Sequence, residues 1–204
     1  DTAGDSLISL REAVALGAVE ILFDTGLSGQ TLILTQGSLT IDQPGAGVQI
    51  DGDIDGDGKA DIILSGDANN NGQNDTGDSR IFDVQNGALS LQSLTLSDGF
   101  AGGGNGGAAS VQSGATLNLA GVTVQDSVAT RGGGIFNGGT LNTVDVTFTG
   151  NHAYDFGGAI YASGAATALT NTTLHQNSAD TAGGGVSAVG DLTLRNTTIT
   201  DNYA

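Results

Sequence analysis

The chain has 204 residues, with 35 glycines, one proline and no cysteine or tryptophan. Twenty-two acidic residues against five basic ones give a net charge of −17, which argues against nucleic acid and anionic membranes as partners, because phosphate binding needs clusters of Lys and Arg. No run approaches the roughly 18 apolar residues of a membrane span, so no membrane insertion is expected, and without cysteine no disulfide can hold the fold.

The chain starts at Asp1 without a leader, as expected of a mature form or an excised fragment. The first element expected is a short helix. Ser9-Leu10-Arg11-Glu12 is a capping box, with Ser at the N-cap and Glu three residues on. Leu10, Ala13, Val14 and Leu16 follow at helical spacing, and Gly17 is a natural stop. Residues 1–18 should therefore form an N-terminal cap whose apolar face shields the core beneath it. Arg11 and Glu12 read as capping and salt-bridging residues, with no catalytic part. Short strands follow at Ile21–Phe23, Thr31–Leu34, Leu39–Ile41 and Val48–Ile50.

Residues 51–78 differ from everything around them. Asp53, Asp55 and Asp57 alternate, followed by Gly58, Lys59 and Asp61. Calcium is a hard cation that takes six to eight oxygens, and alternating Asp residues wrap carboxylates around one centre. In a twelve-residue calcium loop Asp53, Asp55 and Asp57 hold positions one, three and five, Lys59 offers its carbonyl, and Asp61 is position nine. Position twelve is Leu64, so Asp51 or Asp67 would have to supply the closing acid. Fourteen residues on, Asp67, Asn69 and Asn71 repeat the pattern before Gly72, with the Gln73 carbonyl, Asp75 at nine and Asp78 at twelve. A lone acidic turn is commonplace, but two in tandem with Gly at position six point to two Ca2+ sites. Ile62–Leu64 and Ile81–Val84 flank the loops as strands, in place of the helices of an EF-hand. Eight Asp side chains between Asp51 and Asp78 would repel one another without metal, so folding of this insert should be coupled to calcium.

From residue 87 to 204 the chain repeats. Leu94–Ala101, Val122–Ala129, Val146–Ala153, Thr172–Ala179 and Thr197–Ala204 each carry Thr at the second place, a bulky apolar residue at the third and Ala at the eighth. The period is about 26 residues, in the range of solenoids. Each unit is too short to bury a core alone and must stack on its neighbours. Alternating apolar residues, such as Leu89, Leu91, Leu94 and Leu96, mark strands. Glycine steps at Gly106-Gly107, Gly132-Gly133, Gly157-Gly158 and Gly183-Gly184 mark bends. The expected fold is a single all-β domain over 1–204, a right-handed parallel β-helix with three strands and three bends per coil and a rise of roughly 4.8 Å. Leu96, Val124, Phe148, Leu174 and Ile199 should stack inward, and Asn151, Asn177 and Asn202 should form an asparagine ladder at one bend. An antiparallel sandwich is the competing fold, but it does not require the same residue at the same step of every unit.

Two stretches resemble known families. Asp5–Val14 looks like the CSLREA motif that opens many large secreted bacterial β-helix proteins, with Ile8 at the place of the family's Cys. Phe148-Thr149-Gly150-Asn151 and Gly157-Gly158-Ala159-Ile160 are similar to the F-x-x-N and G-G-A-I repeats of polymorphic outer-membrane autotransporter proteins. These resemblances imply secretion, surface display, adhesion and assembly.

An enzyme is not expected. A calcium-dependent polysaccharide lyase needs a basic residue beside its metal, and the only candidates are Arg11, Lys59, Arg80, Arg131 and Arg195. Arg80 lies near the second loop with no second base beside it. No Asp-Asp pair of the inverting glycosidase type occurs, and His152 and His175 sit in different columns of the repeat. The function expected is a calcium-stabilised extracellular structural or adhesion module that associates with itself end to end, or meets a surface glycan or protein. The final coil ends at Ala204 without a polar cap, so further coils or a partner should cover it. Two alternatives stand behind this: a calcium-dependent β-helix that binds or cleaves polysaccharide, and ice binding through the threonine column Thr95, Thr123, Thr147, Thr173 and Thr198.

Overall fold

The computed structural model describes residues 8–45, 47–164 and 166–204. Every paired strand among them runs parallel to its partners, and the chain winds into about seven turns of about 26 residues. Three long sheets form the walls. The first stacks Glu20–Leu22, Val48–Asp51, Ala88–Gln92, Thr116–Ala120, Thr140–Val144, Ala166–Thr170 and Asp191–Arg195. The second stacks Thr31–Ile33, Ile62–Ser65, Leu94–Ser97, Thr123–Gln125, Thr147–Thr149, Thr173–His175 and Thr198–Thr200. The third stacks six strands, from Leu39–Asp42 to Val186–Ala188. Strands that alternate apolar and polar residues fill the inside of such a coil with one row of side chains and leave the other row outside.

The expected inward stack is present and longer than the sequence suggested. Leu32, Leu64, Leu96, Val124, Phe148, Leu174 and Ile199 pair rung by rung. Leu64 to Leu174 are fully buried, whereas Ile199 on the last coil is 50% exposed. The asparagine ladder is present as well. Asn151 Nδ2 donates to Asn177 Oδ1 and Asn177 Nδ2 to Asn202 Oδ1, each at 2.9 Å. The same amides, with that of Asn202, also donate to the carbonyls of Val124, Phe148 and Leu174 one coil back and to those of Thr149, His175 and Thr200 in their own coil, so the bend is tied both across coils and within them.

The corners are built from left-handed residues in register. Asp98, Asp126, Gly150, Gln176 and Asp201 all have φ between 51° and 66°. Gly106, Gly132, Gly157 and Gly183 form another such column. Here glycine is required twice over: a Cβ on Gly132 would lie 2.1 Å from the Ile135 carbonyl oxygen, besides the left-handed strain.

Three features depart from expectation. Three coils carry a fourth short strand after this bend: Val128–Arg131, His152–Phe156 and Ser178–Ala179 stack as their own sheet, extended by single bridges at Phe100 and Tyr203. The recurrent Ala of the repeat lies inside this sheet, with Ala129, Ala153 and Ala179 paired and buried. The N-terminal helix spans Leu10–Ala15 with the expected capping box. It ends in a Schellman turn, in which Gly17 N–H donates to Val14 and Ala18 N–H to Ala13. Val14 is buried and Leu10 and Ala13 pack on the core, but the turn swings Leu16 outward, where it is 76% exposed. The cap is therefore partial, and Val19 and Leu22 also remain exposed. Among the described residues Arg11 has no ion-pair partner; its guanidinium donates to the carbonyls of Gly37 and Ser38. Residues 5–7 of the CSLREA-like stretch lie outside the described residues.

Candidate metal centre

The two acidic loops leave one coil at its two adjacent corners. In regular coils one or two residues, such as Ser93, turn the chain from the first sheet to the second. In the coil of Val48–Asp51 that bend is replaced by residues 52–61, and the following corner by residues 66–81. Both loops are pinched at the neck in the same way. Asp61 N–H donates to the Gly52 carbonyl at 3.1 Å, and Ser79 N–H to the Gly66 carbonyl at 3.0 Å. At both necks glycine is compulsory, since a Cβ would lie 2.3 Å from a backbone oxygen.

Inside the loops the hydrogen-bond frames match position by position. Asp53 accepts from Gly58 N–H at 3.0 Å, and Asp67 accepts from Gly72 N–H at 2.8 Å. Asp55 Oδ1 accepts from Asp57 N–H, as Asn69 Oδ1 does from Asn71 N–H. Asp57 accepts from Lys59 N–H, as Asn71 does from Gln73 N–H. The residue after each first acid is held by a distant carboxylate: Ile54 N–H donates to Asp61 at 2.8 Å and Ala68 N–H to Asp78 at 3.0 Å. Asp61 thus occupies in the first loop the place of Asp78 in the second. The first loop is closed by its own position nine, and Asp51 or Asp67 is not needed for that; Asp51 instead accepts from Asp53 N–H at the neck.

Asp53, Asp55 and Asp61 each bring a carboxylate oxygen within 4.8 Å of the others. That is the spacing of oxygens around one hard cation. Asp57 is not in this group; it faces the Lys59 ammonium, whose hydrogen bond holds the Asp57 carboxyl below its usual range. In the second loop Asp67 is buried at 6% exposure. Asn69 and Asn71 turn their Nδ2 atoms to Asp75. The Gly77 N–H and then these amides lower the Asp75 carboxyl below its ordinary value. Among the described residues these three acids, Asp67, Asp75 and Asp78, do not gather as tightly as those of the first loop. The Oδ1 atoms of Asn69 and Asn71 meanwhile accept from the Asn71 and Gln73 N–H groups, so presenting oxygen to a cation at that centre would require both amides to turn and these bonds to adjust.

The loops also lie along the coils that follow. The Gly58 carbonyl comes within 4.0 Å of the position of a Cβ on Gly121, and Asn74 Nδ2 donates to the Asp126 carbonyl at 2.9 Å. Anchored at both corners, the insert spans two further coils.

Elsewhere the polar side chains read as structural. Arg80 gives its donors to the carbonyls of Gly106 and Asn105. His152 and His175 stand in different columns, each near an aspartate one coil on, Asp180 and Asp201. The threonine column is in register from Thr95 to Thr198, but the neighbouring row runs Ser97, Gln125, Thr149, His175, Thr200.

Residues 145–163 match the Chlamydia polymorphic membrane protein (Chlamydia_PMP) repeat. No curated protein and no solved structure matches the chain. The matched window holds three strands of one coil, Thr147–Thr149, His152–Phe156 and Ile160–Ala162, with the two bends between them, and each recurrent letter has a physical task. Phe148 fills the core, Asn151 is a rung of the ladder, Gly157 supplies the left-handed corner, and Ile160 returns to the core. This short match and the solenoid together support a repeat protein of the polymorphic-membrane-protein kind and fit a surface, adhesin-like role. Such proteins are non-enzymatic, in keeping with a chain that is not an enzyme. No helix among the described residues is long and apolar enough to cross a membrane.

Proposed function

We propose that this chain is a calcium-stabilised module of a secreted, bacterial-type cell-surface protein, with a structural or adhesive task. The observation that carries the reading is the matched frame of the two loops. Four equivalent hydrogen bonds, at equivalent positions, preform both loops around a centre bounded by carboxylates and amides. Without a cation, such a gathering of acids on a chain of charge −17 is electrostatically unfavourable. With calcium, each loop becomes a rigid strap across two coils. Sites of this open, exposed type have dissociation constants of about 10⁻⁴–10⁻³ M, suited to extracellular calcium. At ten times that constant each site adds about 1.4 kcal/mol.

A stiff rod with an outward polar surface suits display, and its coil ends suit association with further coils or a second copy. A structural rather than catalytic role is supported by Arg11 and Arg80, whose donors are committed to carbonyls. The test is thermal unfolding with millimolar calcium and with chelator. A rise in midpoint of several degrees, about halved when either Asp53 or Asp67 becomes Asn and lost when both do, supports the reading; identical unfolding in both conditions overturns it.

A further inference from the structure

One outward cluster has no part in the coil stack or the calcium insert. Arg131 lies at the end of its short strand, with its guanidinium 5.7 Å from the Phe156 ring centre and 5.6 Å from that of Tyr161. Its Nε is 3.5 Å from Asp155. Arg11 and Arg80 hand their donors to backbone carbonyls, but among the described residues the buried Nε of Arg131 has no hydrogen-bond partner. Tyr154, two residues before Phe156 on the same strand, is 44% exposed, and its ring meets the His152 ring edge-on at 5.2 Å. These residues come from two consecutive coils and are fixed on strands, so the arrangement is set before any ligand arrives.

We propose that this patch binds a neutral glycan chain. Flat aromatic surface takes the C–H face of a pyranose ring, while an arginine beside a carboxylate offers paired donors and an acceptor to adjacent sugar hydroxyls. Charge selects against the acidic alternatives. The single cation is already balanced by Asp155, Asp180 lies near His152, and the whole chain carries −17, so a uronate or sulfated polymer meets repulsion. The inference names a ligand for the surface-display reading and rests on that reading, but the patch lies outside residues 51–78.

The experiment titrates the full chain with cellohexaose, chitohexaose and mannohexaose, and with polygalacturonate and heparin, by isothermal calorimetry and by amide shifts. The expected result is saturable binding of at least one neutral hexaose, with shifts centred on residues 131, 154 and 161. Tyr154→Ala and Arg131→Gln each weaken it at least about tenfold. Tyr154 is the more exposed, so its variant tests the patch even if Arg131→Gln disturbs folding. Binding that persists in chelator keeps the patch assignment whether or not calcium stabilises the insert. Binding lost in chelator while the circular dichroism is retained moves the site to the insert and overturns it, as does preference for polyanions or no binding of any neutral hexaose.

Discussion

Replacing Asn177 by alanine tests the ladder as a stabilising element. Its side chain is fully buried. Its Oδ1 is the acceptor for the Asn151 N–H at 3.1 Å and for Asn151 Nδ2 at 2.9 Å. Its Nδ2 donates to the carbonyls of Phe148 and His175 and to Asn202 Oδ1. Asn151 Nδ2 keeps other partners after the change, at the Val124 and Thr149 carbonyls, but its N–H is left buried without one. An orphaned buried donor costs about 1–3 kcal/mol, and the lost bonds to the carbonyls add to it. The expected total is about 2–4 kcal/mol, or roughly 4–16 °C in midpoint for a chain of this size. The matched control is Asn142→Ala, which also removes a cross-coil amide bond, to Asn118, but from the half-exposed outer face, where the loss should stay near about 0.5 kcal/mol. Denaturant titration of both variants, followed by circular dichroism, makes the comparison. Equal loss in the two would refute the claim that the buried ladder, rather than amide pairing in general, holds the bend.

Other consequences can be checked on the same protein. Gly132→Ala should destabilise by more than about 2 kcal/mol, because its Cβ would strike the Ile135 carbonyl, whereas Gly114→Ala, also at positive φ but with nothing within 4 Å, should cost only about 1 kcal/mol of backbone strain. Burial, and then the charge of Asp98, raise the Asp126 carboxyl above the ordinary 3.8. Its contribution to stability is thus complete below that value and is lost as pH rises through the folded one. Asp126→Asn should therefore stabilise at neutral pH and bring no gain in acid, as read from midpoints across a pH series. Light scattering during a calcium titration should show growth into larger species if coil ends associate, and a constant monomer mass with and without calcium would count against assembly.

Much of the solenoid was legible because each repeat column has its own physical demand. A fully enclosed position such as Phe148 admits only apolar residues, a left-handed corner such as Gly157 calls for glycine, and a buried bend such as Asn177 needs an amide that both donates and accepts. The fourth strand was not legible. Segments such as Ser178–Ala179 are two residues long and are held by the neighbouring coil, so no periodicity can show within them. The equivalence of Asp61 and Asp78 was not legible, because counting by the twelve-residue pattern ignores the shorter first loop, which brings Asp61 to the hydrogen-bonding place that Asp78 holds. Leu16 kept helical spacing, but the glycine that ends the helix also redirects it. The aromatic cluster went unnoticed because its members are scattered along the chain. Laying consecutive coils over one another would have placed Arg131 beside Phe156 and Phe136 beside Tyr161, pairs that the strand register brings together.

The central claim is that the two loops hold calcium. Equilibrium dialysis of the chain against millimolar calcium, with Asp53→Asn and Asp67→Asn alongside, tests it most directly. The account predicts two calcium ions per chain, with each substitution removing one and leaving the other. No bound calcium at millimolar concentration, or binding unchanged by both substitutions, would contradict it.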